Sequence, residues 1–186
     1  MARIATTTYG ARVKRGLDLK NGDDLWFALG KTSAWPNDES PPSPLPGDTE
    51  VTEPFIVFKP IIKSMAREVS QVEYDALQES QRGVVVIDEV IRYLKLVSDE
   101  NAQTEVALYV YLKGVSNPAL GHPAATFRQI GIYSGLIPAA GYENAEWLAT
   151  TNVDEYGLLE YLDNGTKTEQ TEFGPVIAIA VALEFE

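Results

Sequence analysis

Two segments of alternating apolar and polar residues most constrain what this chain can fold into. One runs from Thr104 to Val115 and the other from Thr126 to Leu136, on either side of a short connector rich in turn residues. Alternation with a period of two is the pattern of a β-strand. The first segment has apolar side chains on both faces, so we expect both faces to be covered. The second is expected to end at Gly135, and the rest of the chain to cover or extend this pair.

Shorter apolar runs predict further strands. Leu25 to Leu29 is closed by Gly30, and Phe55 to Ile62 is interrupted by Pro60. Residues 84–87 and 90–97 are expected to form strands joined by a turn at Asp88-Glu89. The polar stretch 98–103 would be a hairpin connection to the segment that starts at Thr104. Three neighbouring strands with short polar connections indicate an antiparallel sheet.

The last strand is predicted over residues 176–185, after Pro175, in the middle of a sheet. Residues 3–20 predict a helix that ends at Asn21-Gly22, although three consecutive threonines allow it to begin only near Tyr9. Residues 63–81 fit either a short helix or a strand and turn, and residues 138–152 a loop or short helix. Residues 154–162 predict a short helix or ordered turn, followed by a tight turn at 163–165.

Residues 33–54, called the proline loop below, contain six of the eleven prolines. Proline lacks a backbone N–H and fixes φ, so a helix or central strand is excluded here and extended geometry is favoured. A structureless stretch of this length indicates an arm or binding loop. Trp35 is either an interface anchor or a side chain that folds back on the core.

These patterns predict a mainly β (α+β) fold with an antiparallel β-sandwich-like core, an N-terminal helix and a long proline-rich loop. The expected domains are an N-terminal helical arm over 1–22 and a single β-rich domain over 23–186, with the extended loop 33–54.

The formal net charge of −12 argues against nucleic-acid binding, because such a field repels phosphate. The chain has no cysteine, which excludes disulfides and thiolate chemistry. Its one histidine, His122, is expected to be an exposed loop residue, and neither a metal nor a cofactor is predicted. The longest apolar run is too short to span a bilayer, and no signal peptide is recognisable, so no membrane insertion is expected.

Charge is unevenly distributed along the chain. The first twenty residues are basic, and only Lys167 is basic from Glu143 onward. Head-to-tail association of copies and solvated charged faces both fit this asymmetry. The acidic tail offers carboxylates for acid–base chemistry or calcium binding, both weak hypotheses; these residues are Asp154, Glu155, Glu160 and Asp163. Arg128 is expected to pair with a carboxylate across a strand.

A family resemblance rests on two blocks. The run ALYVYLKGVSNPALGHPAATFRQIGIYSG resembles the C-terminal part of the baseplate wedge proteins of contractile-tailed bacteriophages. The matching motif residues, which serve as the fold marker, are Phe127, Arg128, Gln129 and Ile130. The block LWFALGKTSAWPNDESPPSPLPGD resembles that family's strand, glycine and tryptophan-containing loop, and the closing strand sits where the family ends. The chain would be a shortened relative, with the intervening region reduced to residues 55–103.

The resemblance implies a structural, non-enzymatic protein of the virion tail, assembled in the host cytoplasm. It would link neighbouring subunits of the baseplate, with partners among copies of itself and other tail proteins in a multi-copy symmetric assembly. The expected interface residues are Trp35, Pro36, Pro41, Pro42, Pro44, Pro46, Arg12, Lys14 and Arg15, on segments that order on assembly. Alternatives are a neck or collar protein, or a receptor- or carbohydrate-binding domain that uses Trp147, Tyr142 and Tyr156.

Overall fold

The structure is a computed structural model that describes residues 8–22, 24–87, 90–169 and 177–185. The described residues include two α-helices, α1 (Tyr9–Gly22) and α2 (Gln71–Ala76). The strands are β1 (Leu25–Gly30), β2 (Ile56–Phe58), β3 (Ile62–Val69), β4 (Arg82–Ile87), β5 (Val90–Val97), β6 (Tyr109–Ser116), β7 (Thr126–Ser134), β8 (Ile137–Pro138), β9 (Trp147–Ala149), β10 (Val153–Glu155), β11 (Leu158–Glu169) and β12 (Ile177–Glu184). Single 3₁₀ turns occur at Glu79–Gln81, Pro118–Leu120 and Thr150–Asn152.

The contacts divide the chain into two compact units. One is drawn from Met1–Gly22, Ile62–Lys113 and Ala180–Glu186, and the other from Asp23–Ile61 and Gly114–Ile179. The separation of a helical arm at residue 22 from a single β-rich domain stays a prediction.

The five-stranded sheet of the second unit has the order β11-β7-β1-β2-β9. All of its strand pairs are antiparallel, with β7 between β1 and β11. One apolar cluster packs on it, built from Trp26, Ala28, Val51, Val57, Tyr133, Leu136 and Leu148. All six residues of β1 are buried, which explains why its sequence is a continuous apolar run.

The other five-stranded sheet has the order β12-β6-β3-β5-β4, and β8 pairs with β10 in a separate two-stranded sheet. Helix α1 belongs to the same unit as β3, where Val13 and Gly16 are its buried residues. An added Cβ at Gly16 would lie 2.9 Å from the terminal methyl of Met65, so the helix lies close to β3 at this residue.

The prediction of a mainly β fold with antiparallel sheets, an N-terminal helix and a long proline-rich loop is confirmed. Strands β1 and β7 have nearly the predicted bounds, and Gly135 follows β7 with a φ of 68°. The helix begins at Tyr9, the later of the two predicted starts, although residues 3–7 lie outside the described residues. Both readings of residues 63–81 hold in part, since β3 is followed by α2.

The predicted hairpin between β5 and β6 is wrong. Strand β3 lies between them and pairs with both. Residues 101–106 form turns instead of strand, so β6 begins at Tyr109 and not at Thr104. The prediction of two covered faces is correct for β6, since most of its residues are buried. Alternation reveals which faces are covered, but it does not specify which strand is the neighbour.

The last strand lies at one end of its sheet order and not in the middle. Apolar residues on both faces show burial of the faces, and they carry no information about the strand's edges. The predicted turn at Asp88-Glu89 and the start of the last strand at Pro175 lie outside the described residues.

Residues 154–162 are not helical, and residues 163–165 do not form a tight turn. Apart from residues 156–157, they belong to β10 and to the twelve-residue strand β11, which pairs with β7. The pairing of β11 shifts between Asn164 and Thr168. Such an irregularity accommodates the Asn-Gly pair within a strand.

Candidate functional site

The proline loop leaves and re-enters the sheet at one point. Strands β1 and β2 are antiparallel neighbours, and residues 31–55 between them contain neither helix nor strand, as predicted. At the base of the loop, the Lys31 amide donates to the Thr52 carbonyl and the Phe55 amide donates to the Leu29 carbonyl, 3.0 Å away. Both Lys31 and Glu53 have positive φ, which marks strained backbone at the base. The base of the loop is therefore a defined structure.

An apolar anchor holds the returning half of the loop. Val51 is 2% exposed and belongs to the apolar cluster of this sheet. Its side chain occupies space that two strand glycines leave open. A Cβ added at Gly30 would lie 2.4 Å from one Val51 methyl, and a Cβ added at Gly131 would lie 2.3 Å from the other. The Val51 amide also donates to the Tyr133 hydroxyl at 2.7 Å.

Arg128 holds the outgoing half. Its Nε and Nη2 donate to the two carboxylate oxygens of Asp38 at 2.8 and 2.7 Å, and its Nη1 donates to the Thr32 carbonyl at 3.0 Å. Arg128 is only 6% exposed. A buried guanidinium needs a hydrogen-bonded carboxylate to compensate its charge, and Asp38 supplies one. The hydrogen bond from Arg128 lowers the pKa of Asp38. The expected pairing of Arg128 is thus correct in chemistry, but the carboxylate comes from the loop and not from a neighbouring strand.

Gln129 extends the contact to the other half of the loop. Its Oε1 accepts from the Thr52 amide and its Nε2 donates to Asn164 Oδ1, both at 2.7 Å. Asn164 in turn donates to the Pro42 carbonyl at 2.9 Å. Adjacent residues of a strand point to opposite faces, but long side chains near a sheet edge reach the same loop from either side. The contacts of Arg128, Gln129 and Asn164 with the loop are called the anchoring network below.

Two further groups stabilise the loop conformation. The Trp35 indole N–H donates to the Gly165 carbonyl at 3.1 Å, and the half-buried ring lies 5.2 Å from Lys31 Nζ. Glu53 accepts from the Ser33 amide at 2.8 Å and from the Ser33 and Thr32 hydroxyls. These hydrogen bonds, led by that of the Ser33 amide, lower the pKa of Glu53 to about 2. Trp35 therefore contacts its own chain at Gly165, and its role as an interface anchor stays a prediction.

The loop keeps a large exposed surface despite these anchors. Pro36, Pro42, Pro44 and Pro46 are exposed, and Pro41 is half-buried. Leu45 is 68% exposed. A cleft of about 400 Å³ lies against the loop, lined on the sheet side by Gln129, Leu162 and Asn164. The loop therefore presents a surface of fixed shape.

The remaining predicted interface residues lie on α1, in the other unit. Lys14 and Arg15 are exposed, and Lys14 forms an ion pair with Asp18 at 2.5 Å. Arg12 is half-buried and donates to the Phe185 carbonyl. Two of the three basic side chains thus remain available, while Arg12 has a role inside the fold.

The fold-marker motif divides into two roles. Phe127 is buried, with its ring centroid 6.4 Å from that of Phe55, and Ile130 is half-buried on the same strand. Arg128 and Gln129 bind the loop. Sequence reasoning missed Asp38, Thr52 and Asn164 as the partners of these two side chains. The sequence feature that could have indicated Asp38 is the high density of carboxylates and turn residues beside Trp35.

The prediction of an exposed His122 is wrong. The side chain is 7% exposed, and its ring lies 5.7 Å from Phe58 and 5.3 Å from Trp147. The Asn117 amide donates to Nδ1 at 3.2 Å, and burial lowers the pKa of the imidazole. The turn-forming neighbours of His122 favoured an exposed loop, whereas its aromatic contacts come from residues that are distant in the sequence.

The aromatic residues of the alternative carbohydrate site have separate environments. Trp147 contacts His122, and Tyr156 packs 5.2 Å from Tyr133, where burial raises the pKa of Tyr156 to about 12. Tyr142 alone is 44% exposed. In the acidic tail, Glu160 accepts from the Ser134 hydroxyl at 2.5 Å, while Asp154 and Glu155 are exposed. Within the described ranges, no group of three or more His, Asp or Glu residues could hold a metal ion.

No helix in the described part of the chain is long and apolar enough to cross a bilayer. The geometry defines a β scaffold that displays a fixed loop. Comparison with known proteins gives the context of this scaffold. The family model described as "Baseplate wedge 3 tail fiber network component" matches residues 4–173. "Virion protein 3" of Enterococcus phage phiEF24C is 33% identical over 171 residues, covering 90% of this chain and 88% of the relative.

These matches show that this is a structural protein of a phage virion, located in the tail. The chain belongs to the baseplate wedge 3 tail fiber network component family. The predicted resemblance to baseplate wedge proteins is confirmed. The match covers 88% of that relative, and the shortening relative to longer wedge proteins stays a prediction.

Proposed function

We propose that this protein links neighbouring subunits of the baseplate during tail assembly, and that the proline loop is one of its contact surfaces. The role is structural and not catalytic, and several copies act together. Family membership supports an association with other tail proteins. The exposed basic residues Lys14 and Arg15 of α1 form a second contact surface.

The observation that carries the proposal is the anchoring network around Arg128. It ties a loop without regular structure to the sheet through buried or half-buried side chains, while Leu45 and four prolines remain exposed. A surface that is already ordered loses less conformational entropy on binding than a flexible arm does. The loop is thus suited to act as a preformed contact, which differs from the expected arm that orders only on assembly.

Leu45→Asp tests the proposal, because it places a charge at a leucine that is 68% exposed and leaves the anchoring network untouched. We expect incorporation of the protein into tail particles to fall at least about tenfold, since an unpaired charge in an apolar contact costs more than 1.4 kcal/mol. The measurement is the amount of this protein in purified particles when the variant replaces the wild type during infection.

Leu120→Asp is the matched control, because Leu120 is 63% exposed on a 3₁₀ turn outside the loop. It is expected to leave incorporation unchanged. Equal incorporation of the Leu45→Asp variant and the wild type would exclude the loop as a baseplate contact. Trp35→Ala adds a second variant, which should also reduce incorporation, because it removes the hydrogen bond to Gly165.

A further inference from the structure

The cleft beside the proline loop has apolar walls and a negative lining. Trp35, Pro42 and Leu162 contribute apolar surface, together with the exposed Leu45. The charged residues of its lining are Asp48 and Glu50, both acidic. Its volume of about 400 Å³ is enough for long side chains of a partner.

The side-chain amides of the cleft are already hydrogen-bonded, so the carboxylates are the groups that would recognise a ligand. Gln129 and Asn164 use their side-chain amides on each other and on the loop backbone. Asp48 accepts from the Leu45 amide through one oxygen only. Glu50 has no hydrogen bond or ion pair with any other residue that the structure describes. A ligand with an aliphatic stem and a cationic head therefore matches the site, as the side chains of lysine and arginine do.

The charge of the loop as a whole points the same way. Residues 33–54 contain five carboxylates and no lysine or arginine. Two of the five, Asp38 and Glu53, use both carboxylate oxygens on groups within or next to the loop. The other three, Glu39, Asp48 and Glu50, give the exposed surface a net negative charge that a basic partner would neutralise.

The chain carries a complementary surface on α1. Because Val13 and Gly16 are buried, the opposite side of the helix presents Lys14 and Arg15 to solvent. Arg15 has no hydrogen-bond or ion-pair partner among the described residues. Lys14 pairs with Asp18, but both side chains are more than 60% exposed, and such a pair is weak.

We infer that the cleft of the proline loop binds the basic side of α1 from a second copy of this chain, with Arg15 directed at Glu50; this rests on the proposed function of the loop as a contact surface. The two surfaces are different patches, so the contact is heterologous. Repetition of a heterologous contact produces a closed ring or an open chain of subunits. One interface would thus account for the basic side of α1 and for the exposed carboxylates of the proline loop.

The test uses the purified full-length chain and paired charge reversals. Wild-type self-association, measured by sedimentation velocity over a concentration series, should weaken as salt increases. Arg15→Glu and Glu50→Lys should each weaken it at least about tenfold, because each places like charges together. An equimolar mixture of the two variants should associate again, since the carboxylate introduced on one chain can meet the ammonium group introduced on the other.

The controls make the same changes of charge at other exposed positions. Lys63→Glu matches Arg15→Glu, and Glu155→Lys matches Glu50→Lys. Neither should alter association by more than about twofold, because neither residue belongs to the two surfaces that form the proposed contact. A monomeric wild type at all concentrations, or a mixture that does not associate, would overturn the inference.

The two proposals fail in different ways. If Leu45→Asp blocks incorporation into particles while the mixed variants do not associate, the loop binds another tail protein, and only the inference falls. If the mixture associates while Leu45→Asp enters particles normally, the self-contact exists but is not the baseplate contact, and the proposed function falls.

Discussion

The proline loop and the connector of residues 117–125 are both irregular and proline-containing, yet they are fixed by opposite chemistry. The outgoing half of the loop is held by charge, through the bidentate contact between Arg128 and Asp38. The connector is held by an uncharged imidazole, since His122 packs between Phe58 and Trp147. An ion pair tolerates an exposed surface around it, whereas a buried neutral histidine belongs to a core. The first arrangement is suited to a contact surface, and the second to a structural joint.

The largest expected effect concerns the apolar anchor of the loop. Gly131→Ala would place a Cβ 2.3 Å from a Val51 methyl in a strand that has neighbours on both sides. We expect the free energy of unfolding to fall by about 2 kcal/mol, because close-packed cores do not accept an added methyl without rearrangement. Chemical denaturation measures this change.

Gly47→Ala is the control within the loop, since a Cβ at Gly47 would meet nothing within 4 Å. Its unfolding free energy should stay within about 0.5 kcal/mol of the wild type. Equal stability of the Gly131→Ala protein would show that Val51 does not fill the space left by that glycine.

A smaller effect is expected from the connector as the pH changes. Burial lowers the pKa of His122 below its ordinary value of 6.5, so the unfolded chain binds a proton in a range where the folded chain does not. The free energy of unfolding is therefore unaffected by this histidine above pH 6.5, and it falls as the pH decreases from 6.5 toward the folded-state pKa. The slope cannot exceed about 1.4 kcal/mol per pH unit for one proton.

The pH dependence can be assigned by substitution, because His122 is the single histidine of the sequence. His122→Gln should remove the slope between pH 6.5 and pH 5, and denaturation series at several pH values would show it. A slope that is the same in the variant would refute the buried neutral histidine.

The smallest effect is the release of the loop in acid. The pKa values of Asp38 and Glu53 are lowered by the hydrogen bonds they accept, that of Glu53 to about 2. The stabilisation of the folded loop by these two carboxylates is present above their ordinary pKa values of 3.8 and 4.5. It is lost as the pH falls through the lowered values. Fluorescence of Trp35, read in a variant with Trp26 and Trp147 replaced by phenylalanine, should therefore change only below about pH 4. A change at pH 6 would contradict this assignment.

The sequence was sufficient for features with a local cause. Prolines exclude regular structure in the loop, and apolar runs define β1 and β7. It was insufficient where partners are distant in the chain. Asp38 and Arg128 are ninety residues apart, and only the return of the loop to the sheet brings them together. Likewise, the turn-forming residues at 163–165 led to a predicted turn where β11 continues, because a bulge in strand pairing accepts the same residues as a turn.

The central claim is that the proline loop is already held in place in the free protein. Hydrogen exchange of the purified chain tests it at the amides of Ser33, Val51 and Thr52, which donate to Glu53, Tyr133 and Gln129. Arg128→Lys keeps the charge but cannot form the bidentate contact. We expect slow exchange at these amides in the wild type and faster exchange of the loop in the variant, with the exchange of β1 unchanged. Exchange of these three amides in the wild type at the rate of an unstructured peptide would contradict it.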